Sequence, residues 1–324
     1  DELKQVVRIL RGRIAFYVFM SSHAVYSVAK NATHGEPTLF ETDAVRPGRE
    51  ISPLERYELK GKSKSGNNAL ECEEELEKQY NSGGFPYTSL RLTNVVGPKE
   101  NTIRYWLLHL WIRAHLALTL PMHLDTTMLE TPISLTYTLD IARAVVRAIS
   151  KARNEICCPE DVEDAAFNLA CEEAPTQRTL YNFVAEPMGM PYVETIEMDY
   201  NKSIVLYPEI VRGPVSISKA SDALQWSPTD LTKALRSVAR FYDRTMMDER
   251  KYKRERGLMY RKVKNMLGAD GPRFVEWTRA YYAERRKNEL YDELDDEDED
   301  EIVMVREPPR RARRRRARRK KIDL

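Results

Sequence analysis

Short apolar runs alternate with amphipathic stretches along most of this chain, and each period predicts an element. Leu3, Val6, Val7 and Leu10 recur at helical spacing and Gly12 closes the segment, which predicts a helix within residues 1–13. A continuous apolar run rich in β-branched and aromatic residues follows, so Ile14 to Tyr26 reads as a strand buried on both faces. That run stops on Ser21-Ser22. Open α/β sheets bind ligands where the backbone leaves the carboxyl ends of parallel strands, so this pair of hydroxyls is a candidate site edge.

Tyr87 to Gly97 predicts the next strand, broken by Gly97-Pro98, and Asn101 to Leu118 a helix rich in Trp, Leu and His. Ile133–Tyr137, Ala166–Ala170 and Tyr192–Met198 read as further strands. Between them, Leu139 to Ile149 is an amphipathic helix with Ile141, Val145, Val146 and Ile149 on one side, and Thr176 caps another helix. Helices from Ile217 to Leu224 and from Leu231 to Tyr242 complete the body. This alternation predicts an α/β fold with a parallel sheet.

Two stretches read as loops. Residues 33–53 are rich in Pro, Gly, Asp and Glu and are expected to cross the mouth of the site. Lys60-Gly-Lys-Ser-Lys-Ser-Gly66 is basic and contains glycine, but a phosphate cradle ends in Gly-Lys-Ser/Thr at a helix entrance. Here Gly66 precedes Asn67-Asn68, which predicts a solvated loop with an Asn cap on a helix from Ala69 to about Tyr80.

Beyond Arg244 the pattern becomes densely charged. Residues 248–264 and 274–291 read as two helices, exposed or packed on a partner, the second carrying an aromatic stripe of Trp277, Tyr281 and Tyr282. The formal net charge of +2 conceals a segregation: nine acidic residues lie between Asp292 and Glu301, and ten basic ones between Arg310 and Lys321. So little apolar content cannot fold alone. Three parts are therefore expected: a domain over 1–245, a charged helical extension over 246–291, and an acidic then Arg-rich disordered tail over 292–324.

The 42% hydrophobic content supplies a core, and no apolar run approaches the ~20 residues of a membrane helix. The chain starts with Asp1, in a segment unlike a signal or transit peptide, and is expected to begin partway into a longer product. Cys72, Cys157, Cys158 and Cys171 lack metal-ligand spacing, and the five histidines show no zinc pattern. Adjacent cysteines make a poor structural disulfide, so a reduced, intracellular protein is expected. His109 and His115 are expected to be partly buried helix residues.

Five segments, in order, resemble the extended short-chain dehydrogenase/reductase family of nucleotide-sugar epimerases and dehydratases. They are Phe19-Met-Ser-Ser-His-Ala-Val-Tyr26, Leu90-Arg-Leu-Thr-Asn-Val-Val-Gly-Pro98, Tyr137-Thr-Leu-Asp-Ile-Ala-Arg-Ala144, Phe167-Asn-Leu169 with Thr176 and Leu180, and Leu224-Gln-Trp-Ser-Pro228. The resemblance implies a Rossmann-like parallel sheet that binds NAD(P), and a small C-terminal region that covers a sugar nucleotide. It also implies hydride transfer, in which a Tyr with a Lys four residues later moves the proton and a Ser or Thr orients the substrate hydroxyl.

Ser22 falls on the family's Ser/Thr position. With Glu74 in the acidic slot that follows the Tyr-x-x-x-Lys pair, Gly66 takes the Tyr position and Leu70 the Lys position. Neither side chain can do that chemistry, so Ser22 reads as a catalytic remnant. Tyr57 with Lys60 or Lys62 misses the four-residue spacing that one helical turn requires. No glycine-rich dinucleotide turn occurs in the sequence, and the family's first sheet strands are expected to be missing. The expectation is no cofactor, unless NAD(P) meets a glycine-rich turn further upstream.

A non-catalytic binding or structural subunit of a large assembly is the expected function. Arg310, Arg311, Arg313, Arg314, Arg315, Arg316, Arg318, Arg319, Lys320 and Lys321 have the density of a phosphate-neutralising segment, which points to RNA or a ribonucleoprotein. The plastid RNA stem-loop-binding proteins, atypical members of the family, are similar in Tyr87–Arg91 and the Lys-Gly-Lys loop. The alternatives are a structural subunit of a cytoskeletal or axonemal complex and an active NAD(P)-dependent epimerase or dehydratase. In the former, the tail would meet an acidic protein surface, residues 246–291 would dock on protein partners, and neither part would enter a membrane.

Overall fold

Every strand pairing among the described residues is parallel, in keeping with the alternation of helix and strand. The structure is a computed structural model describing residues 2–29, 38–46, 52–190, 193–199, 202–204, 206–207, 214–248, 250 and 252–289. The tail, including Arg310 to Lys321, and part of the expected loop over 33–53 lie outside the described residues.

The chain runs α1 (Glu2–Leu10), β1 (Tyr17–Ser22), α2 (Pro53–Lys62), α3 (Lys64–Asn81), β2 (Tyr87–Leu92), β3 (Asn94–Val96) and α4 (Arg104–Leu118). It continues through β4 (Met122–Asp125), β5 (Leu135–Tyr137), α5 (Thr138–Ala152), β6 (Ala165–Leu169), α6 (Gln177–Ala185) and β7 (Thr195–Met198). Helices α7 (Ser218–Leu224), α8 (Leu231–Met247), α9 (Lys253–Met266) and α10 (Gly271–Glu289) follow. The main sheet has the order β1-β2-β6, and β3-β5 and β4-β7 form two short pairs.

The core is centred on α4, which is apolar all round because other elements surround it. Tyr105, Leu108, Leu110, Trp111 and Ile112 are buried there with Leu235, Val238 and Tyr242 of α8. Met259 and Val263 of α9 and Phe274 and Tyr282 of α10 join the same cluster. The apolar positions that made these two helices look partner-packed are thus turned into the chain's own core. Asp243 of α8 fastens this junction: it accepts from His109 Nε2 (3.0 Å), Arg113 Nη2 (2.5 Å) and Tyr282 Oη (2.6 Å). His109 and His115 are fully buried rather than partly so.

Four expectations are corrected. The strand at Ile14–Tyr26 is shorter and is not buried on both faces. Among the described residues β1 pairs only with β2; Tyr17 and Phe19 pack toward α1 and α3, while Met20 is 46% exposed. An apolar run signals faces that favour burial, but neighbours decide whether burial happens. Lys60–Gly66 is helical rather than a loop. Ser63 alone separates α2 from α3, and its Oγ caps α3 by accepting from Gly66 N at 3.0 Å, the role expected of Asn67 or Asn68.

In α5 the buried face is Asp140, Ala144 and Ala148, and Val146 and Ile149 are exposed. Small residues let this helix approach Leu90 and Phe167 closely, so the face is set by fit rather than by the bulkiest apolar residues. Finally, Cys157 and Cys158 are joined in a disulfide, where free thiols were expected; it spans one peptide bond and ties no distant segments. Among the described residues no helix is long and apolar enough to cross a membrane, and no cluster of His, Cys, Asp or Glu could hold a metal ion.

Candidate functional site

The register of the main sheet brings three carboxyl ends side by side. Ser21 and Ser22 of β1 pair with Arg91 and Leu92 of β2, and these pair with Asn168 and Leu169 of β6. Ser22, extended at φ −138°, has a local task. Its Oγ accepts from Ala24 N at 3.2 Å and caps the 3₁₀ turn over His23–Val28. That turn carries Val25, Tyr26 and Val28 into the interior.

The two positions that the resemblance assigns to Tyr and Lys face this turn from α3. Gly66 is buried, and a Cβ built on it would lie 2.1 Å from the carbonyl oxygen of Ala24. Real Cβ atoms do not come so close to backbone oxygen. A side chain at residue 66 therefore requires α3 and the turn to separate. Leu70, one helical turn on, is buried in a cluster with Val25, Tyr26, Val28, Leu39, Leu59 and Val215. An ammonium there would be desolvated among aliphatic side chains. A one-residue shift puts Ser65 and Ala69 at the two positions, again without phenol or ammonium. Tyr57 is 76% exposed on α2.

A polar network fills the end of the sheet instead. Arg91 Nη2 donates to Glu73 Oε2 at 2.7 Å, and its Nε lies 3.1 and 3.2 Å from the two carboxylate oxygens. Ser21 Oγ donates to Glu73 Oε1 at 2.5 Å, and Arg91 Nη1 donates to the Glu41 carbonyl at 2.7 Å and to Tyr26 Oη at 3.2 Å. Tyr26 Oη in turn donates to Asn168 Oδ1 at 2.6 Å, and Asn168 N to Glu41 Oε1 at 2.8 Å.

Burial opposes the charge on Arg91, but the Glu73 carboxylate outweighs it and holds the guanidinium firmly protonated. Burial pushes the Tyr26 phenol up to about 12, against the pull of Arg91. A phenol held there is a hydrogen-bond donor, not a base near neutral pH. Sequence reading missed this network. Its one legible sign was Arg91 between Leu90 and Leu92 of a predicted strand, a cation that requires a partner if buried.

The segments that carry the resemblance do meet. Asp140, 1% exposed, accepts from Thr229 N at 2.8 Å and Thr229 Oγ1 at 2.7 Å, and its carbonyl accepts from Trp226 Nε1 at 2.9 Å. Thr136 Oγ1 donates to the Leu169 carbonyl at 2.5 Å and lies 2.6 Å from Thr93 Oγ1, tying the ends of β2, β5 and β6 together.

No family model matches the sequence, and no curated protein matches it. Solved structures do. The UDP-glucose 4-epimerase of Thermotoga maritima, solved with UDP-glucose, aligns with a TM-score of 0.53 and 19% identity over 75% of this chain and 67% of that one. The UDP-glucuronic acid 4-epimerase of Bacillus cereus, solved with NAD, aligns at 0.51 with 16% identity over 75% and 64%. An epimerase from Methanothermobacter thermautotrophicus aligns at 0.51 with 16% identity over 80% and 66%. The chain thus has the Rossmann-like fold of these epimerases and spans about two thirds of their length.

Proposed function

We propose that this chain is a non-catalytic protein on the epimerase fold, serving as a structural and RNA-binding subunit of a larger assembly. The observation that supports it is the closure of α3 on the turn after β1, where a Cβ at Gly66 would meet Ala24 O at 2.1 Å. That contact occupies the space a phenol at residue 66 needs. Ser22 keeps the family's hydroxyl position but spends it on a cap.

The similar UDP-glucuronic acid 4-epimerase of Bacillus cereus was solved with NAD. The residues around Ser22 do not fit its nicotinamide end. Leu70 offers no ammonium to a ribose, and the Arg91–Glu73 pair turns its polar atoms on Tyr26, Ser21 and Glu41.

The RNA contact is assigned to Arg310–Lys321, on charge density alone. The test is paired. Reduced NAD and NADP are titrated against the full chain by fluorescence, and a labelled RNA by anisotropy, with and without Arg310–Lys321. The proposal expects no cofactor saturation, and RNA binding that weakens on deletion and with salt. Cofactor binding with turnover of any nucleotide sugar would restore the enzymatic reading, which Ser22 and the Asp140–Thr229 contact otherwise favour.

A further inference from the structure

Cys157 and Cys158 are neighbours in the loop that joins α5 to β6, and their side chains close into a disulfide. This bond does little for the fold. A disulfide stabilises chiefly by constraining the unfolded chain, and more so the longer the loop it closes. Here the two residues are one peptide bond apart, so the unfolded chain loses almost no freedom. Nor does burial shield the sulfurs: Cys157 is exposed and Cys158 half-buried. Accessible disulfides without a structural task are the ones that exchange with thiols.

The chain on either side is held without the sulfurs. Before the pair, Glu155 N and Ile156 N donate to the Ser150 carbonyl near the end of α5, at 2.9 and 3.3 Å. After it, Lys151 Nζ donates to Asp161 Oδ2 at 2.7 Å, and Val162 is fully buried with Leu90, Ala144, Ala148 and Phe167. Tyr80 Oη donates to Glu163 Oε2 at 3.3 Å. Between these anchors Cys158 takes the left-handed conformation, at φ +71°, and its carbonyl accepts from Asp161 N at 3.1 Å to start the short turn Pro159–Asp161. A non-glycine residue keeps that conformation only while its surroundings enforce it, and the ring is one of those constraints.

The other two thiols compete poorly for a reductant or oxidant. Burial pushes the Cys171 thiol up to about 12 and raises that of Cys72 as well, so both hold little thiolate near neutral pH.

We propose that Cys157 and Cys158 form a reversible redox site, closed as a disulfide and opened by a dithiol reductant, and that opening loosens the tip of the loop between α5 and β6. A thiolate of the reductant attacks Sγ of the exposed Cys157. The S–S bond breaks, and Cys158 leaves as a thiolate that takes a proton from water. The second thiolate of the reductant attacks the mixed disulfide and releases Cys157 in the same way. The reductant ends as its own disulfide; it has given up two electrons and two protons, and the protein has gained two thiols. The pair precedes Ala165 at the amino end of β6, whereas the polar network meets that strand at Asn168, toward its carboxyl end.

The test equilibrates the full chain, without denaturant, in buffers of reduced and oxidised dithiothreitol, then quenches with acid and alkylates the unfolded chain. Cleavage at glutamate frees Ile156–Glu160, which carries this pair and no other cysteine. That peptide should pass from no label to two labels in one reversible step, first order in the ratio of reduced to oxidised reagent, with circular dichroism unchanged. Trypsin should cut after the exposed Arg153 several-fold faster in the open form than in the closed one. Cys157→Ser and Cys158→Ser should each be cut at the open rate in either buffer.

Labels that appear only as the protein unfolds would make the bond structural and overturn the proposal. So would a pair that is already open in fully oxidised buffer, or one that opens but does not reclose there. Equal trypsin rates in the two forms would overturn the loosening of the loop.

Discussion

Gly66 on α3 stands so close to Ala24 that a single added carbon would lie 2.1 Å from the Ala24 carbonyl oxygen. The contact joins the helix to the turn after β1. Gly66→Ala should therefore cost stability, by about 1–3 kcal/mol as overpacking does, although alanine favours helix. Urea unfolding measures it. A stabilised Gly66→Ala variant would mean that the gap between α3 and the turn opens freely, and the argument against a phenol there would fall.

Placing a Tyr at residue 66 and a Lys at residue 70 should not create chemistry. Gly66→Tyr with Leu70→Lys places a phenol against backbone and an ammonium among Val25, Leu39 and Val215. The expected outcome is a large loss of folded protein by circular dichroism, and no saturable binding of reduced cofactor by whatever remains folded.

The Arg91–Glu73 pair is buried on both sides, with side chains 6% and 9% exposed. Breaking one partner leaves the other charged and unpaired, so Glu73→Gln or Arg91→Met alone should cost about 3–5 kcal/mol. Replacing both by apolar residues of similar volume should cost clearly less. A double-mutant cycle by thermal unfolding reads the coupling, and additive losses would show that the two groups are independent.

His109 sets a pH dependence. Burial lowers its pKa below 6.5, against the pull of Asp243. Its Nε2–H donates to Asp243, while Nδ1 has no partner, so a charged ring would bury an unpaired donor. A folded pKa below the unfolded one means that the contribution is complete above about 6.5 and is lost as pH falls, because the unfolded chain takes up the proton. For Asp243, burial raises the carboxyl, but His109, Arg113 and Tyr282 outweigh it and hold it below the usual carboxylate range. Its contribution is therefore lost only at more acid pH. His109→Gln should flatten the decline just below pH 6.5, to which His109 contributes a limiting slope of about 1.4 kcal/mol per pH unit beside that of His123, whose pKa burial also lowers. Denaturant unfolding across pH checks it; parallel profiles would contradict it.

Phe274 tests how α10 belongs to the body. It is fully buried with Tyr282 in the cluster of α4 and α8. Phe274→Ala should cost about 3–5 kcal/mol and shift the main unfolding transition. Loss of a separate early transition, with the main one unmoved, would instead make α10 an appendage.

Hydrophobic period and capping determined the α/β class, the Thr176 cap and the approximate limits of α4 and β6, because these depend on which residues favour burial along a local repeat. Local period could not say which neighbour covers a face. It overestimated the burial of β1, turned α5 toward Val146 and Ile149, and read Lys60–Gly66 as a loop where Ser63 merely caps a helix. Tertiary structure decided those points, since coverage, close approach and pairing join residues far apart in the chain. Arg91 was visible as the lone charge of a predicted strand, but its partners Glu73, Tyr26 and Glu41 came together only on folding. Ser22 was likewise visible as a hydroxyl at a strand end; only folding showed that its Oγ caps the turn against which Gly66 packs.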